Sequence, residues 1–585
     1  MPESSTLPVP PLPFGGLPPV RPMTPDPDDD APCLAPAEPD PARLARWALG
    51  FLALGVVLRL VRFLLRYPLW HDEAFIAVNF IDRGFRELAL PLDYLQVCPI
   101  LFLWVERAIV GLLGFNEWSL RLFPTLCAIG GLVLFDRLAR RTLPGWGYPI
   151  AVGILAVSYS PIRHGNEVKS YATDLLAATA LLWLASRWLA EPSRSRWPWA
   201  LAAVAPAALA GSLTAVFVVG AIGLVTAPVA WRSGRARVWA AFAAFGATSA
   251  ATFLALFRFH LSTARSEWLR TEYLLPYWAD SFPPLADGPL AVSWWLVRIH
   301  AGNLLSYPIG GDHGASAASL ALVVVGLIAL LRTRRWGLAA LLVLPFALNL
   351  AAAALGRYPY GGEARIAQHL APSACLLAGL GASRLIERCR SAARAERLRR
   401  LAIAGLGLIG LGLLVQQIVW PYHMISAARD REFARWFWPE QARAAKVLCL
   451  KADLGLDFEP RQWNTGISAS YLCNRAIYDP GFPPAPDPDP DSDSAPDGRA
   501  RPIRFVLFHV DSYPTPIDSP GFRSWFDAMS ARHRFRRIDS YVVNADRGET
   551  GWKVGRYWVV EFDPEAREEA APPPELASRP PASRR

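Results

Sequence analysis

Eleven apolar segments constrain this chain more than any other feature of its sequence. Several of them approach the roughly 20 residues that a helix needs to cross a hydrocarbon core of about 30 Å. The predicted spans are 47–65, 120–136, 148–160, 171–190, 198–213, 215–230, 238–257, 316–331, 336–355, 366–383 and 401–419. Only 19% of the residues are charged, whereas soluble domains carry about 25%. The sequence therefore predicts a mainly α, polytopic membrane helical bundle of about eleven spans.

Arginines between the spans predict the orientation of the bundle. They cluster in alternate turns, at Arg137–Arg141, Arg187–Arg196, Arg232–Arg237, Arg332–Arg335 and Arg384–Arg400. Because cytoplasmic turns are enriched in Lys and Arg, these turns are predicted to be cytoplasmic and the first loop to lie outside. Arg59, Arg62 and Arg66 break the pattern and are interpreted as snorkelling to the interface or as part of a site. The net charge of +10 is thus assigned to topology, and no nucleic-acid partner is predicted.

Two further apolar segments carry charges that argue against a simple span. Residues 291–309 contain Arg298 and His300, which favour a helix lying along the membrane surface, although a span stays open. Glu106 and Arg107 lie within an apolar stretch that begins near Cys98. An unpaired Glu-Arg inside a span would be costly, so this stretch is also interpreted as an interfacial helix.

Composition divides the chain into four parts. They are a disordered Pro-rich tail, a transmembrane domain, a C-terminal periplasmic or extracellular α/β domain and a second disordered tail, over residues 1–42, 43–420, 421–565 and 566–585. The α/β prediction rests on three strand-like runs and one amphipathic helix, at 503–509, 537–543, 556–562 and 522–534. A Pro/Asp-rich linker is predicted at Pro480–Asp497.

Two adjacent carboxylates, Asp72 and Glu73, follow the first predicted span. Carboxylates are costly beside hydrocarbon and often mark a site there. Asp72 could equally cap a short helix, with Glu73 favourable in its first turn. The local sequence leaves these two interpretations open.

Other polar residues are predicted on the same face of the membrane. Glu167, Tyr171 and Asp174 would share one helical face at i, i+4 and i+7. Arg365 and His369 likewise share a face at the start of the tenth span. Cations suit an anionic phosphate and carboxylates suit a general base, while interfacial anchoring is the plain alternative for each of these residues.

Three motifs occur in an order that resembles a known family. They are Tyr67-Pro-Leu-Trp-His-Asp-Glu-Ala-Phe75, Trp118-Ser-Leu-Arg-Leu-Phe-Pro124, and Ser160-Pro161 followed by Asn166-Glu-Val-Lys-Ser-Tyr-Ala-Thr-Asp174. The chain resembles the GT-C membrane glycosyltransferases of the dolichyl-phosphate-mannose protein mannosyltransferase type, which include the aminoarabinose transferases. The resemblance covers residues 47–190 well and extends loosely to 384. Val97-Cys-Pro-Ile100 stands where the family has His-Pro-Pro-Leu, so no role is carried over for that histidine.

The resemblance implies transfer of a sugar from a polyprenyl-phosphate donor to a lipid, glycan or protein acceptor, with inversion, at the outer face of a cell membrane. It implies that Asp72 acts as the base or organises the site, with Glu73 secondary. Lys169 and Arg365 are expected to face the donor phosphate, with His369 nearby and Glu167 holding the lysine or the acceptor. Two acids could also hold a divalent cation, so the metal requirement stays open.

Two other functions fit the membrane spans. A flippase or transporter for lipid-linked sugars also needs many spans, but its polar sites are expected near the midplane rather than at one face. A non-catalytic scaffold would leave the acidic residues free to vary. The sequence leaves the sugar, the acceptor and the oligomeric state undetermined.

The seven cysteines show no spacing typical of a zinc site. Cys449 and Cys473 both lie in the C-terminal region, which is predicted to face an oxidising compartment. A disulfide between them is therefore predicted.

Overall fold

A computed structural model gives the fold and describes residues 40–261, 269–311, 314–419, 425–441, 446–450, 466–479, 503–510, 520–542, 546–548, 551–553 and 555–563. The predicted N-terminal tail before residue 40, the linker at Pro480–Asp497 and the C-terminal tail lie outside these residues. Residues 40–585 group as one compact unit.

The described chain is mainly helical. Its helices are α1 Pro41–Leu64, α2 His71–Ala77, α3 Asn79–Asp82, α4 Ile100–Leu113, α5 Glu117–Thr142, α6 Gly147–Ala156, α7 Tyr159–Arg163, α8 Tyr171–Ala190, α9 Arg196–Gly211, α10 Ala215–Ser233, α11 Ala236–Leu256, α12 Pro289–Ala301, α13 Ala317–Arg332, α14 Trp336–Ala354, α15 Ala371–Glu387, α16 Ala392–Val419, α17 Ile425–Trp436, α18 Gly466–Tyr478 and α19 Pro520–Arg532. Single turns or short 3₁₀ and π segments occur at Glu87–Ala89, Asp93–Leu95, His164–Asn166, Phe257–Leu261, Leu269–Leu274, Leu275–Tyr277, Ala279–Ser281, Leu285–Asp287, Asn303–Leu305, Ala364–Leu370 and Phe437–Gln441.

A helix lies at each of the eleven predicted spans. Six of the helices in the described residues are long and apolar enough to cross a membrane, namely α1, α5, α10, α11 with its C-terminal extension, α14 and α16. Two shorter apolar helices, α6 and α13, accompany them. Residues 291–309, by contrast, are divided between the 13-residue helix α12 and the single 3₁₀ turn Asn303–Leu305. A helix of that length is shorter than the roughly 20 residues of a span, which favours the interfacial interpretation.

Local sequence explains where the two longest N-terminal spans begin. Asp40 accepts a hydrogen bond from the backbone N–H of Ala42 at 2.9 Å, and Pro41 occupies the first helical position of α1. Asn116 caps α5 in the same way, through the N–H groups of Trp118 and Ser119. Both arrangements satisfy backbone donors that a helix leaves without partners at its start.

The arginine-rich turns meet at one end of the bundle. Arg335, which precedes α14, donates to the carbonyl of Thr142 at the end of α5, at 2.8 Å. Arg43 of α1 pairs with Glu396 of α16 at 3.2 Å. These contacts join turns that the arginine pattern assigns to one side of the membrane. Successive helices that cross the membrane in alternate directions place these turns at the same end of the bundle.

Helix α15 forms the centre of the bundle and packs closely against α6 and α13. A side chain at Gly381 would place its Cβ 1.9 Å from the carbonyl oxygen of Leu322, and one at Gly326 would meet that of Leu377 at 2.0 Å. Only glycine permits this approach, and small residues serve the same purpose between helices in membranes generally.

The C-terminal region contains a four-stranded sheet. Its strands are β1 Lys446–Leu450, β2 Ile503–Val510, β3 Phe535–Val542 and β6 Gly555–Phe562, in the order β1-β2-β6-β3, while β4 Asp546–Gly548 pairs with β5 Gly551–Lys553. Strands β1 and β2 are parallel, and β6 is antiparallel to both of its neighbours. The three predicted strands and the predicted helix are present. The apolar faces of α19 and β6 pack through Phe526 and Phe562.

The predicted disulfide is wrong. Cys473 is a free, buried thiol on α18, and its Sγ donates to the carbonyl of Ala74 on α2 at 3.7 Å. Ala469 and Cys473 belong to the apolar cluster formed by the first loop. Packing against α2 thus occupies the side chain that was expected to form the bridge.

Candidate functional site

Asp72 lies between two cations that come from distant parts of the chain. Its Oδ1 is 3.0 Å from Nζ of Lys169, and its Oδ2 is 2.7 Å from Nη1 of Arg365. Both cationic side chains are about 9% exposed, whereas that of Asp72 is 23% exposed. The cluster therefore unites three of the residues predicted for the site and leaves the carboxylate in partial contact with solvent.

Three short elements bring these side chains together. Asp72 is the second residue of α2, Lys169 lies just before α8, and Arg365 belongs to the 3₁₀ segment Ala364–Leu370 before α15. Each element sits at the end of the bundle opposite the arginine-rich turns. A polar cluster can form there without entering the apolar middle of the bundle.

The helix-cap interpretation of Asp72 does not describe this geometry. Helix α2 begins at His71, so Asp72 lies inside its first turn. The side chain that bonds back to the helix start is that of Glu73, which accepts from the N–H of Trp70 at 3.3 Å. Its neighbour Asp72 is left to pair with the two cations.

Glu73 is almost fully buried and bonded on both oxygens. Nε of Arg121 and the N–H of Val168 donate to its Oε1, at 2.7 and 3.0 Å. Nη2 of Arg121 donates to its Oε2. Arg121 also donates to the carbonyls of Tyr67 and Pro68. This network ties α2, the start of α5 and the loop before α8 together, so the geometry favours a positioning role for Glu73 over a chemical one.

Glu167 is directed away from Lys169. The N–H of Lys169 donates to the carbonyl of Glu167 at 2.7 Å, and this tight three-residue turn separates the two side chains. Glu167 instead pairs with His164 Nδ1 at 2.8 Å and with Arg163 Nε at 3.3 Å. Because helix α8 begins only at Tyr171, Glu167 does not share a helical face with Tyr171 and Asp174, contrary to prediction.

The partners of Glu167 keep it ionised. Burial raises the pKa of this carboxyl, but His164, through its charge and its hydrogen bond, and Arg163 and Arg62, through their charges, outweigh that effect. The net result is a pKa well below the ordinary value for glutamate. Glu167 therefore stabilises its loop as an anion.

His369 lies deeper than the cluster around Asp72. It is fully buried, with its ring 5.5 Å from that of Phe217 and 6.5 Å from that of Tyr358. Neither ring nitrogen has a hydrogen-bond partner within the described residues. His369 was expected near the donor phosphate, and direct contact with it would require this ring to leave its aromatic surroundings.

Sequence reasoning did not single out four residues that surround the cluster. Gln96 accepts from Nζ of Lys169 at 2.8 Å, and Glu363 pairs with Nε of Arg365. The rings of Trp70 and Trp278 lie 5.7 and 5.4 Å from the guanidinium carbon of Arg365. Gln96 stands just before the segment that departs from the family motif, which is the signal that could have identified it.

The interpretation of Arg59 and Arg66 also changes. Arg59 is fully buried and donates to the carbonyls of Gly55 and Ala156. Arg66 pairs with Glu117 at 2.9 Å. These arginines connect α1 to its neighbours rather than snorkelling to an interface.

No group of three or more His, Cys, Asp or Glu side chains is arranged to hold a metal ion in the part of the chain that the structure describes. Asp72 and Glu73 also point to different partners, so the two acids do not converge on one ligand position.

Residues 97–261 match the family model described as dolichyl-phosphate-mannose-protein mannosyltransferase. The expected family resemblance is confirmed. The matched segment includes Glu167 and Lys169, whereas Asp72 and Arg365 lie outside it. The match supports a membrane enzyme of glycosyl transfer. No curated protein sequence matches the chain.

Solved structures resemble the chain only weakly. ArnT from Cupriavidus metallidurans bound to undecaprenyl phosphate has 14% identity and a TM-score of 0.45, with 88% of this chain and 98% of that chain covered. The apo state of the same protein has 12% identity and a TM-score of 0.47, with the same shares of the two chains covered. The apo oligosaccharyltransferase from Archaeoglobus fulgidus has 11% identity and a TM-score of 0.42, with 74% of this chain and 65% of that chain covered. At these scores the similarity carries no argument about the site.

Proposed function

We propose that this protein is an integral-membrane glycosyltransferase that moves a sugar from a polyprenyl-phosphate donor to an acceptor hydroxyl, with inversion, at the outer face of a cell membrane. The single observation that supports it most is the bridge from Lys169 through Asp72 to Arg365 at one end of the helical bundle. It joins a carboxylate that can accept a proton to two cations that can bind a phosphate.

The bonds that change assign a role to each group. Asp72 takes the proton of the acceptor hydroxyl as its oxygen attacks the anomeric carbon from the side opposite the phosphate. The bond between the anomeric carbon and the phosphate oxygen breaks, and the electron pair leaves with the lipid phosphate. Lys169 and Arg365 stabilise the charge that develops on that phosphate, which is the largest contribution in many enzymes.

The same two cations explain how the donor would prepare the base. In this structure the oxygens of Asp72 are occupied by Lys169 and Arg365. A phosphate that binds these cations takes them away from the Asp72 carboxylate. The lone pairs of that carboxylate are then free to accept the proton of the acceptor hydroxyl. Donor binding and base activation would then be one event.

Burial of the two cations supports their role towards phosphate. Side chains that are about 9% exposed have already lost most of their water, and a charge interaction is stronger in such surroundings. Arg365 can present a planar fork to phosphate oxygens, whereas Lys169 acts as a point charge.

The outer-face assignment is supported by two features of the structure. The cluster lies at the end of the bundle opposite the arginine-rich turns, which positive-inside bias assigns to the cytoplasm. Helix α18 of the C-terminal region contacts α2 through Cys473 and Ala74. The C-terminal region and Asp72 are accordingly proposed to lie on the same, outer side.

Purified protein given a panel of labelled polyprenyl-phosphate sugars tests the proposal. A glycosyltransferase consumes one of them in the presence of membrane extract containing the acceptor, and releases polyprenyl phosphate. A flippase reconstituted in vesicles moves the intact donor across the bilayer without releasing phosphate, and a scaffold does neither. Either of the last two results would overturn the proposal.

A further inference from the structure

A cavity lies beside the cluster around Asp72. It has a volume of about 510 Å³, within the roughly 300–1,000 Å³ that is typical of small-molecule pockets. Its wall is formed by the segment around Trp278, the end of α12 and the turn at Gly362–Glu363. None of the residues predicted for the active site lines it.

Two of the residues that line this cavity touch Arg365 directly. The ring of Trp278 lies 5.4 Å from the guanidinium carbon, and the Glu363 carboxylate pairs with Nε of Arg365. Since Nη1 of the same arginine pairs with Asp72, one guanidinium contacts both the lining of the cavity and the carboxylate. A group in the cavity would be a close neighbour of the proposed reaction centre.

Each charged side chain in the lining of the cavity has a partner of opposite charge. Among the described residues that line it, Arg298 pairs with Asp280 at 3.1 Å, and Glu363 pairs with Arg365. A phosphorylated or carboxylated ligand would have to compete with these carboxylates for their cations. The lining therefore suits an uncharged ligand.

The lining of the cavity offers groups for both the apolar face and the hydroxyl groups of a pyranose ring. The indole of Trp278 and the ring of Tyr277 offer aromatic surface, against which the C–H face of a sugar can pack. The carboxylates of Asp280 and Glu363 accept hydrogen bonds from hydroxyl groups, and the guanidinium of Arg298 donates to them.

The cavity is held open by bonds within the protein. Nδ2 of Asn303 donates to the carbonyl of Gly362 at 2.6 Å, and the N–H of Tyr360 donates to the carbonyl of Ser281 at 2.9 Å. Gly362 has a φ of +76°, and a Cβ there would lie 1.9 Å from Oγ of Ser281. Glycine thus allows the two walls to meet, and a preformed pocket loses less entropy when it binds a ligand.

We infer that this cavity binds a neutral pyranose, either the acceptor saccharide or the sugar carried by the donor, next to the phosphate-binding cations. This inference rests on the proposed function for its place in a reaction, while binding of the sugar can be measured without turnover.

Saturation-transfer NMR on the full chain in detergent tests it. The probes are methyl glycosides of glucose, galactose, mannose and N-acetylglucosamine, with glucose 6-phosphate as the anionic comparison. At least one neutral glycoside is expected to bind, and Trp278→Ala to weaken it tenfold or more, with Trp278→Phe in between. Trp294→Ala is the matched control, because Trp294 lies on α12 but is 69% exposed and does not line the cavity. If no neutral glycoside bound, or if Trp278→Ala bound as tightly as wild type, the inference would be wrong.

A second variant tests the charge argument without disturbing the core. Asp280 is 89% exposed, so Asp280→Asn is expected to fold while it removes the carboxylate that neutralises Arg298. The variant should gain affinity for glucose 6-phosphate by about tenfold relative to the neutral glycoside. Unchanged preference would overturn the claim that paired charges select an uncharged sugar.

Competition distinguishes the two sources of the sugar. If the pocket holds the sugar of the donor, the polyprenyl-phosphate form of the same sugar displaces the bound glycoside, but polyprenyl phosphate alone does not. If it holds the acceptor, the glycoside stays bound with either lipid. Binding of glycosides by a protein that turns over no donor would refute the proposed function and leave the sugar site standing. Turnover of the donor with no glycoside binding would refute the sugar site and leave the proposed function standing.

Discussion

At the scale of single residues, Arg365 connects the parts of the site. It reaches Asp72 with one nitrogen and Glu363 with another, which a lysine cannot do. Arg365→Lys is therefore expected to raise the KM for the lipid donor about tenfold. Arg365→Ala should raise it further, because a charged hydrogen bond contributes about 1.5–3 kcal/mol. Arg357→Ala, an exposed arginine in the same loop, serves as the control in steady-state kinetics. Wild-type KM in Arg365→Ala would exclude the phosphate role.

Glu167 gives a pH-dependent prediction at the same scale. The pKa of this carboxyl is lowered in the folded protein, where burial is outweighed by His164 and Arg163. Its stabilisation is thus fully present above the unfolded value of about 4.3 and is lost as pH falls below that value. Glu167→Gln should lower Tm in detergent at pH 5, where His164 and Arg163 are both cationic, and the difference from wild type should shrink as the pH falls towards 3. A difference that stays constant down to pH 3 would contradict the assignment.

Adjacent carboxylates show where prediction from sequence ends. The pair Asp72-Glu73 marked the right loop, but successive residues on a helix point about 100° apart. Which acid meets Arg121 and which meets Lys169 depends on contacts between residues 48 and 97 positions apart. The separation of Glu167 from Lys169 has a similar cause, since a single tight turn decides it.

At the scale of secondary-structure elements, α2 depends on a helix from the far end of the chain. Ala469 and Cys473 of α18 are fully buried against the first loop, and the hydroxyl of Tyr478 donates to Glu117 at 2.9 Å. The apolar spans could be predicted because each span carries its own pattern. This docking could not, because neither partner shows a pattern that identifies the other.

That docking predicts a remote effect on turnover. Ala469→Leu adds volume to a fully buried position, and overpacking typically costs about 1–3 kcal/mol. Because Asp72 lies on α2 itself, a displaced α2 should move Asp72 more than Lys169 or Arg365, so kcat should fall severalfold with a smaller effect on affinity for polyprenyl phosphate. Ala476→Leu on the partly buried side of α18 is the matched control. Equal kcat values for the two variants would rule out the coupling.

At the scale of the whole molecule, the arginine pattern predicts which end of the bundle faces the cytoplasm. The contacts of Arg335 with Thr142 and of Arg43 with Glu396 support one common end for those turns. In a background without native cysteines, an impermeant maleimide added to intact cells should label Leu90→Cys and Arg523→Cys but not Ser391→Cys. Labelling of Ser391→Cys alone would show that the topology is the inverse of the predicted one.

The central claim is that Lys169 and Arg365 bind the donor phosphate while Asp72 accepts the acceptor proton, and one variant separates these roles. Asp72→Asn keeps the shape of the side chain but removes the base, so turnover of the lipid donor should fall by about 10²–10⁴-fold. Because the variant also removes the carboxylate that competes for both cations, its affinity for polyprenyl phosphate should equal or exceed that of wild type. Measuring both quantities on the same preparation is the most direct test. Retained turnover, or loss of lipid-phosphate binding together with turnover, would contradict the account.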